Sequence, residues 1–557
     1  MSTTDRTPFT LADALVDELA DMTPSAATFW GVKGHDHRWE DLSPEGAADT
    51  AARLRAWKER FDALPDQGDR WSRLAVHVCL DQLGLSLDAI DHGDHLRDLN
   101  HLACPVQHVP MVFDAMDTTT AEGWANVASR LEGVAAMFEG YRRALQLGLD
   151  RGTPVAARQV RSVASQCHAY AAEGASLDGL NQRLTEAGVA DDTLRDRVGA
   201  ATVSARQAYA TLGAWLTDSY LPHAAQADGV GRERYLRAVR HFLGSTPDPE
   251  ATYAWGWDEI RALQARMTAA AEQVAPGVPL RDVVRMLMTD PAYGAPDRAS
   301  FLALMQERQH QALSVLEGVH FEVPEGIRRV DVKQAPAGGP PGAYYVPPAE
   351  DLSRPGTVFY SLTGEGPYAL WDEVSTAYHE GFPGHHLQCA LQVTLKQDLC
   401  RVHRVAYGYS GFAEGWALYA EELMSELGFY EKPEYELGML ANQMMRACRV
   451  VFDIGAHLDL PIPDDAPFHP GERWTFELGV ALMQEVGGMT AEVADSEIKR
   501  YLGWPGQAIS YKVGQKAMLD LRREYLAAGG ELPEFHRRVL ACGNVSLDLL
   551  RDQVMGS

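Results

Sequence analysis

The chain has 557 residues, 46% of them hydrophobic, with 50 Lys and Arg set against 77 Asp and Glu for a net charge of −27. Such a composition suits a large soluble globular protein with one big core or two domains. The acidic balance disfavours nucleic acid and anionic membranes as partners. No apolar run is long enough for a transmembrane helix. The acidic N-terminal stretch MSTTDRTPFTLADALVDELADM lacks the basic region and apolar core of a secretory signal, so a cytoplasmic location is expected. Seven scattered Cys without a C-x-x-C pair point to buried thiols rather than a disulfide frame.

Residues 8–240 repeat apolar side chains at three- and four-residue steps, as in LADALVDELADM, AADTAARLRAWKERFDAL and WANVASRLEGVAAMFEGYRRALQLGLDRG. This periodicity predicts amphipathic helices. The last of these should stop at Gly152 and Pro154. A helical region spanning 1–246 is expected to wall one side of a cleft, with 247–557 as the catalytic region. His101 and His108, in a Pro-punctuated segment, could line that cleft, though ordinary surface or core positions are the preferred reading. After a Pro-rich break at Pro247–Glu250, two more long helices follow. From about residue 320 the character changes to Gly, Pro, Val and Tyr, which predicts short strands and turns. GTVFYSL at 356–362 is the best strand, and Tyr360 on it is a candidate for touching substrate or supporting the site. The expected fold class is mainly α, with a small β-sheet beside the site helices.

Residues 371–422 carry the chemistry. WDEVSTAYHEGFPGHHLQCALQ holds His379, Glu380, His385 and His386, and GYSGFAEGWALYAEELMSE holds Glu414, Glu421 and Glu422. Two imidazoles, a carboxylate beside the first and another carboxylate about thirty residues on make a zinc-hydrolase constellation. His379, His385 and Glu414 would hold the ion, and Glu380 would take a proton from water. The usual H-E-x-x-H spacing fails, because position 383 is Pro. Six residues along a regular helix turn through ~600°, which separates His379 from His385. The helix must therefore be distorted, and a bulge at Pro383-Gly384 is expected. His386, at i+7 from His379, is the rival ligand on an undisturbed helix. Glu421 lies one heptad beyond Glu414 and could support a His ligand. Cys389, near the motif, is read as a packing residue.

HEGFPGHHLQ followed by FAEGWALYAEEL resembles the bacterial domain-of-unknown-function family 885, over most of the chain and most densely from about Tyr344 to Leu521. That family is similar to gluzincin zinc metallopeptidases, and the resemblance implies a large helical metallopeptidase-like fold. Related motifs place the second His ligand directly after a Gly, which favours His385. The resemblance also implies that the strand at 356–362 pairs with the substrate backbone.

Beyond the motif, Arg446, Arg449, Asp453 and His457 fall at helical steps, and Arg449 with Asp453 at i, i+4 suits a buried salt bridge. The family pattern Arg-x-x-x-Asp-x-Gly-x-His is matched by Arg449, Asp453, Gly455 and His457, which implies that His457 reaches the site. A further family block is filled by Arg500, Tyr501, Gln507 and Tyr511. Tyr511 is then the expected donor to a developing oxyanion, with His457 assisting and Gln507 and Arg449 nearby. These features predict a zinc-dependent hydrolase of amide bonds in short peptides or peptide-like molecules. The alternatives are an amidohydrolase of a specialised pathway, a non-haem iron enzyme and a non-catalytic helical binding protein.

Overall fold

A computed structural model describes residues 7–65, 68–189, 191–336 and 342–556. The chain divides into two compact units: Met1–Asp228 with Cys400–Ala406 and Leu502–Trp504, and Gly229–Leu399 with Tyr407–Tyr501 and Pro505–Ser557. The fold is mainly α with a small sheet. Among the described residues no helix is long and apolar enough to cross a membrane.

The first unit is helical, as the periodicity predicts. Helix Ala121–Asp150 buries Trp124, Val127, Leu131, Val134, Phe138, Tyr141 and Leu145, one apolar stripe at three- and four-residue steps. The Thr120 hydroxyl accepts from the Gly123 amide at its start. Phe138 meets Tyr209 of helix Asp192–Trp215 edge-on at 4.9 Å. His101 and His108 belong to this unit, and His108 is exposed.

The division falls after Asp228, before the Pro247–Glu250 break expected to mark it. Helix Arg232–Leu243 belongs to the second unit because its buried face is spoken for there. The Tyr235 hydroxyl donates to Asp453 at 2.7 Å, and the Gly231 amide donates to the His457 carbonyl at 3.1 Å.

In the second unit, helix Pro249–Val274 runs along helix Pro433–Leu458, and helix Ser410–Glu426 along helix Ser510–Ala527. The last pair crosses at Gly415 and Gly514, where a Cβ on Gly415 would lie 2.5 Å from the Gly514 carbonyl carbon. Two glycines thus let the backbones touch, fixing Glu414 one residue from the contact.

The sheet has three strands in the order Val330–Gln334, Gly356–Tyr360, Ala343–Val346. The middle strand pairs parallel with the first (Val330 beside Gly356) and antiparallel with the last (Val346 beside Thr357). Gly356–Tyr360 was expected to offer its edge to a peptide. It has no free edge: its ladder groups are engaged on both sides, and even the Tyr360 carbonyl accepts from Ala335. The strand completes the sheet instead.

Candidate metal centre

Helix Glu373–Glu380 buries Val374, Ser375, Ala377, Tyr378 and His379, then stops. A second helix, His385–Thr394, starts with the next histidine. The expected bulge is therefore a complete break over Gly381–Gly384. Pro383 has no amide to donate, and the turn is closed by other groups. The Gly384 amide donates to the Tyr378 carbonyl at 3.1 Å and the His386 amide to the Gly381 carbonyl at 3.2 Å. Gln309 clamps the break: its Nε2 donates to the Ala377 carbonyl at 2.8 Å and its Oε1 accepts from the Phe382 amide at 2.6 Å. Trp416 Nε1 donates to the Pro383 carbonyl at 2.9 Å. A Cβ at Gly384 would lie 2.0 Å from the His379 carbonyl oxygen, so only glycine fits this turn.

The break swings His385 back toward His379. Their ring centroids are 4.8 Å apart with the planes at 85°. Glu414, the fifth residue of helix Ser410–Glu426, completes the group. Its Oε2 lies 3.4 Å from His379 Nε2 and 3.5 Å from His385 Nε2. The three ligand-type atoms all fall within 4.8 Å of one another. Glu414 Oε2 is sealed from solvent and, among the described residues, accepts no hydrogen bond. A buried carboxylate oxygen of this kind is costly unless something cationic meets it. Ligands bonded at ~2.0–2.1 Å around a tetrahedral zinc stand about 3.3–3.4 Å apart. The donor set fits such an ion, and the two Glu414–histidine separations match that spacing.

Electrostatics within the group are strong. Burial pushes the Glu414 carboxyl up, but His379 and His385 more than offset this and hold it well below the usual carboxylate range. Burial opposes charge on His379, yet Glu414 and Glu421 raise it to about 9. The Glu380 carboxyl is raised by burial, against the pull of His379 and His385. Glu380 is the last residue of its helix and is half-buried.

A layer of polar groups stands behind His379. Its Nδ1–H donates to Glu421 Oε1 at 2.7 Å, which turns Nε2 toward Glu414. Glu421, wholly buried, also accepts from the Ser375 hydroxyl at 2.8 Å and Gln443 Nε2 at 3.4 Å. Gln443 Oε1 in turn accepts from Lys512 Nζ at 3.0 Å, and Lys512 also donates to Glu259 at 2.7 Å. Ser375, Gln309, Gln443 and Lys512 went unnoticed in sequence. Gln443 and Arg446 at i, i+3 in an otherwise apolar helix were the available signal for a polar face.

His386 is not part of the group. It is buried, its Nε2–H donates to the Ile327 carbonyl at 2.8 Å, and its Nδ1 accepts from the Tyr345 hydroxyl at 2.9 Å. Burial lowers its pKa to about 4. Tyr360 is buried against Phe301, ring centroids 5.1 Å apart, and its hydroxyl has no hydrogen-bond partner among the described residues. Burial and the charges of Glu373 and Glu380 push that phenol well above its ordinary range. Glu422 makes a partly exposed pair with Arg266 at 3.0 Å. Cys389 is half-buried and burial pushes its thiol up to about 12. The other six cysteines are buried thiols.

Two expectations fail on the long helix Pro433–Leu458. Arg449 does not pair with Asp453. It donates to the Tyr501 hydroxyl at 2.7 Å and to Glu497 at 2.8 Å, a stronger partner brought from a distant helix. Asp453 is held by Tyr235 and the Gly506 amide, and burial raises its carboxyl to about 7. His457 does not join the group. Eleven residues beyond Arg446, it stands about 16 Å further along the helix. Its Nε2–H donates to the Tyr501 carbonyl at 3.0 Å and its ring stacks on Tyr235 at 5.5 Å. Gln507 accepts from Arg500 at 2.6 Å. Tyr511, half-buried, lies with its ring 4.7 Å from the Arg449 guanidinium and 5.9 Å from that of Arg446.

No curated protein matches the chain. The fold recurs in solved structures. One is from Colwellia psychrerythraea, described as a "putative lipoprotein", 22% identical, with TM-score 0.86 over 99% of this chain and 98% of the other. Another is from Shewanella oneidensis, described as a "putative lipoprotein of unknown function", 17% identical, with TM-score 0.76 over 98% of this chain and 99% of the other. At these identities the likeness concerns the fold alone. The family model described as "Bacterial protein of unknown function (DUF885)" matches residues 24–554, and with nearly its whole length covered the chain belongs to that family.

Proposed function

We propose that the protein is a zinc-dependent hydrolase of amide bonds in short peptides or peptide-like molecules. The observation that carries this reading is Glu414 Oε2, buried, without a hydrogen bond among the described residues and facing Nε2 of both His379 and His385. His379, His385 and Glu414 would hold the ion. A zinc ion bound there supplies Lewis-acid polarisation and lowers the pKa of a coordinated water toward ~7. Glu380 accepts the proton of the attacking water and delivers it to the leaving amine nitrogen. Burial raises its carboxyl, which suits a group that must both take and return a proton. Glu421 keeps the tautomer of His379 through the 2.7 Å bond to Nδ1. Tyr511 is assigned the role of donor to the substrate oxyanion.

The sequence resembles gluzincin metallopeptidases, and that resemblance supports peptides over other amides. The reading is tested by metal analysis of the purified protein and by hydrolysis of a panel of short peptides and N-acyl amides. Close to one zinc per chain and chelator-sensitive cleavage are expected. A protein with no stoichiometric metal and no cleavage after zinc addition is a binding protein instead. A bound iron would favour the oxygenase reading.

A further inference from the structure

Arg446 stands beside the metal centre with its hydrogen-bonding capacity unused. Its side chain is only 10% exposed. Among the described residues it donates no hydrogen bond, and Nε and Nη1 are sealed from solvent without a partner. Its approach to Glu421, Nη1 to Oε1 at 3.4 Å, is a charge contact. Glu421 does not need it for hydrogen bonding, because His379, Ser375 and Gln443 already donate to that carboxylate. Buried guanidinium groups normally spend their five donors.

The placement is close to the chemistry. One charge contact, one hydrogen bond and one imidazole ring separate Arg446 from Nε2 of His379. Followed atom to atom that path is about 8 Å, so the straight-line separation is at most two to three residues of extended peptide at ~3.3–3.6 Å each. The Tyr511 ring centroid stands 5.9 Å from the guanidinium carbon, at the outer reach of a cation–π approach. With Nε and Nη1 sealed, Nη2 is the nitrogen left to meet a carboxylate, in a charge-assisted hydrogen bond.

We propose that Arg446 anchors a carboxylate of the substrate, so that the site takes peptides or acylated amino acids whose free carboxylate stands one or two residues from the amide to be cleaved. The inference rests on the hydrolase reading for its reacting amide, and on Arg446 itself for the carboxylate.

The test compares N-acetyl-Ala-Ala with its C-terminal amide. Binding is measured by calorimetry on zinc-loaded and on metal-free protein, so that coordination of the carboxylate by the ion is told apart. Hydrolysis of both compounds is measured in parallel. The acid should bind roughly tenfold or more tightly than the amide in both forms of the protein. That advantage should collapse in Arg446→Met and shrink in Arg446→Lys, which keeps a positive charge beside Glu421 and so guards against misfolding. Equal binding of acid and amide by the parent, or an advantage that survives in both variants, overturns the anchor. Cleavage of both compounds at the same efficiency also overturns it while leaving the hydrolase reading intact. Arg446-dependent binding of the acid without any cleavage supports the anchor and removes the hydrolase reading.

Discussion

The Nδ1–H of His379 donates to Oε1 of Glu421 across 2.7 Å, between two buried residues on different helices. This bond sets which imidazole nitrogen faces Glu414. It also raises the basicity of that nitrogen, because the buried carboxylate stabilises positive charge on the ring. Replacement of Glu421 by Gln keeps the volume and an acceptor oxygen but removes the charge. Zinc affinity, measured by competition with a chromophoric chelator, should fall by ~10–100-fold. An unchanged affinity would mean that Glu421 only fills the core.

Glu380→Gln separates metal binding from catalysis. Glu380 follows a ligand but is not one of the three groups that converge. The variant should bind zinc like the parent and lose roughly 10²–10⁴ in kcat. Parental turnover would remove Glu380 as the general base, and loss of zinc would recast it as a ligand.

Much of the site was legible because chemistry restricts residue types. His379, His385 and Glu414 could be grouped from identity and spacing, and Pro383-Gly384 announced that the helix could not run through. Periodicity alone would have preferred His386, since an ideal helix returns after seven residues. The break overrules it. Sheet position was not legible: the Gly356–Tyr360 run reads as a strand, but nothing local says whether it is central or at an edge. The partner of Arg449 was hidden for a similar reason. Asp453 is near in sequence, while Glu497 arrives from a separate helix and wins by tertiary packing. His457 matched a pattern of letters, yet helix rise carries it away from the metal group.

The two adjacent histidines make opposite predictions. His385→Ala should empty the site, since its Nε2 is one of the converging atoms. His386→Ala should retain zinc and instead lose stability. It leaves the Ile327 carbonyl and the Tyr345 hydroxyl without their partner. A loss on the order of 1–3 kcal/mol is expected for unsatisfied buried groups. Zinc content and denaturant unfolding of both variants decide the matter. A metal-free His386→Ala alongside a fully loaded His385→Ala would reverse the assignment.

Acid should loosen the helix that carries Glu414. His536 is buried in an aromatic cage: Phe321 stacks on it at 4.9 Å, Tyr419 stands at 5.7 Å and Trp416 at 6.0 Å. Its Nε2 lies 2.7 Å from the Tyr419 hydroxyl. Burial lowers its pKa from the ordinary 6.5 to about 3. The unfolded chain therefore takes up the proton near pH 6.5, while the folded chain resists it until about pH 3. Between those values the unfolded state binds more protons, so stability rises with pH and is lost as pH falls through the interval. From pH 6.5 to 4.5 this one residue should cost about 2–3 kcal/mol, since each pH unit is worth about 1.36 kcal/mol. His536→Gln retains a polar group for Tyr419 but cannot titrate. It should be less stable than the parent at pH 7, and its unfolding free energy should fall less steeply toward pH 4.5. Carboxylates titrate in both proteins, so the difference between the two curves is the quantity to measure. Trp416 and Tyr419 share their helix with Glu414, and zinc retention in acid should weaken sooner in the parent once affinities at pH 7 are normalised. Parallel unfolding curves from pH 7 to 4.5 would show that the cage tolerates the imidazolium and that acid acts elsewhere.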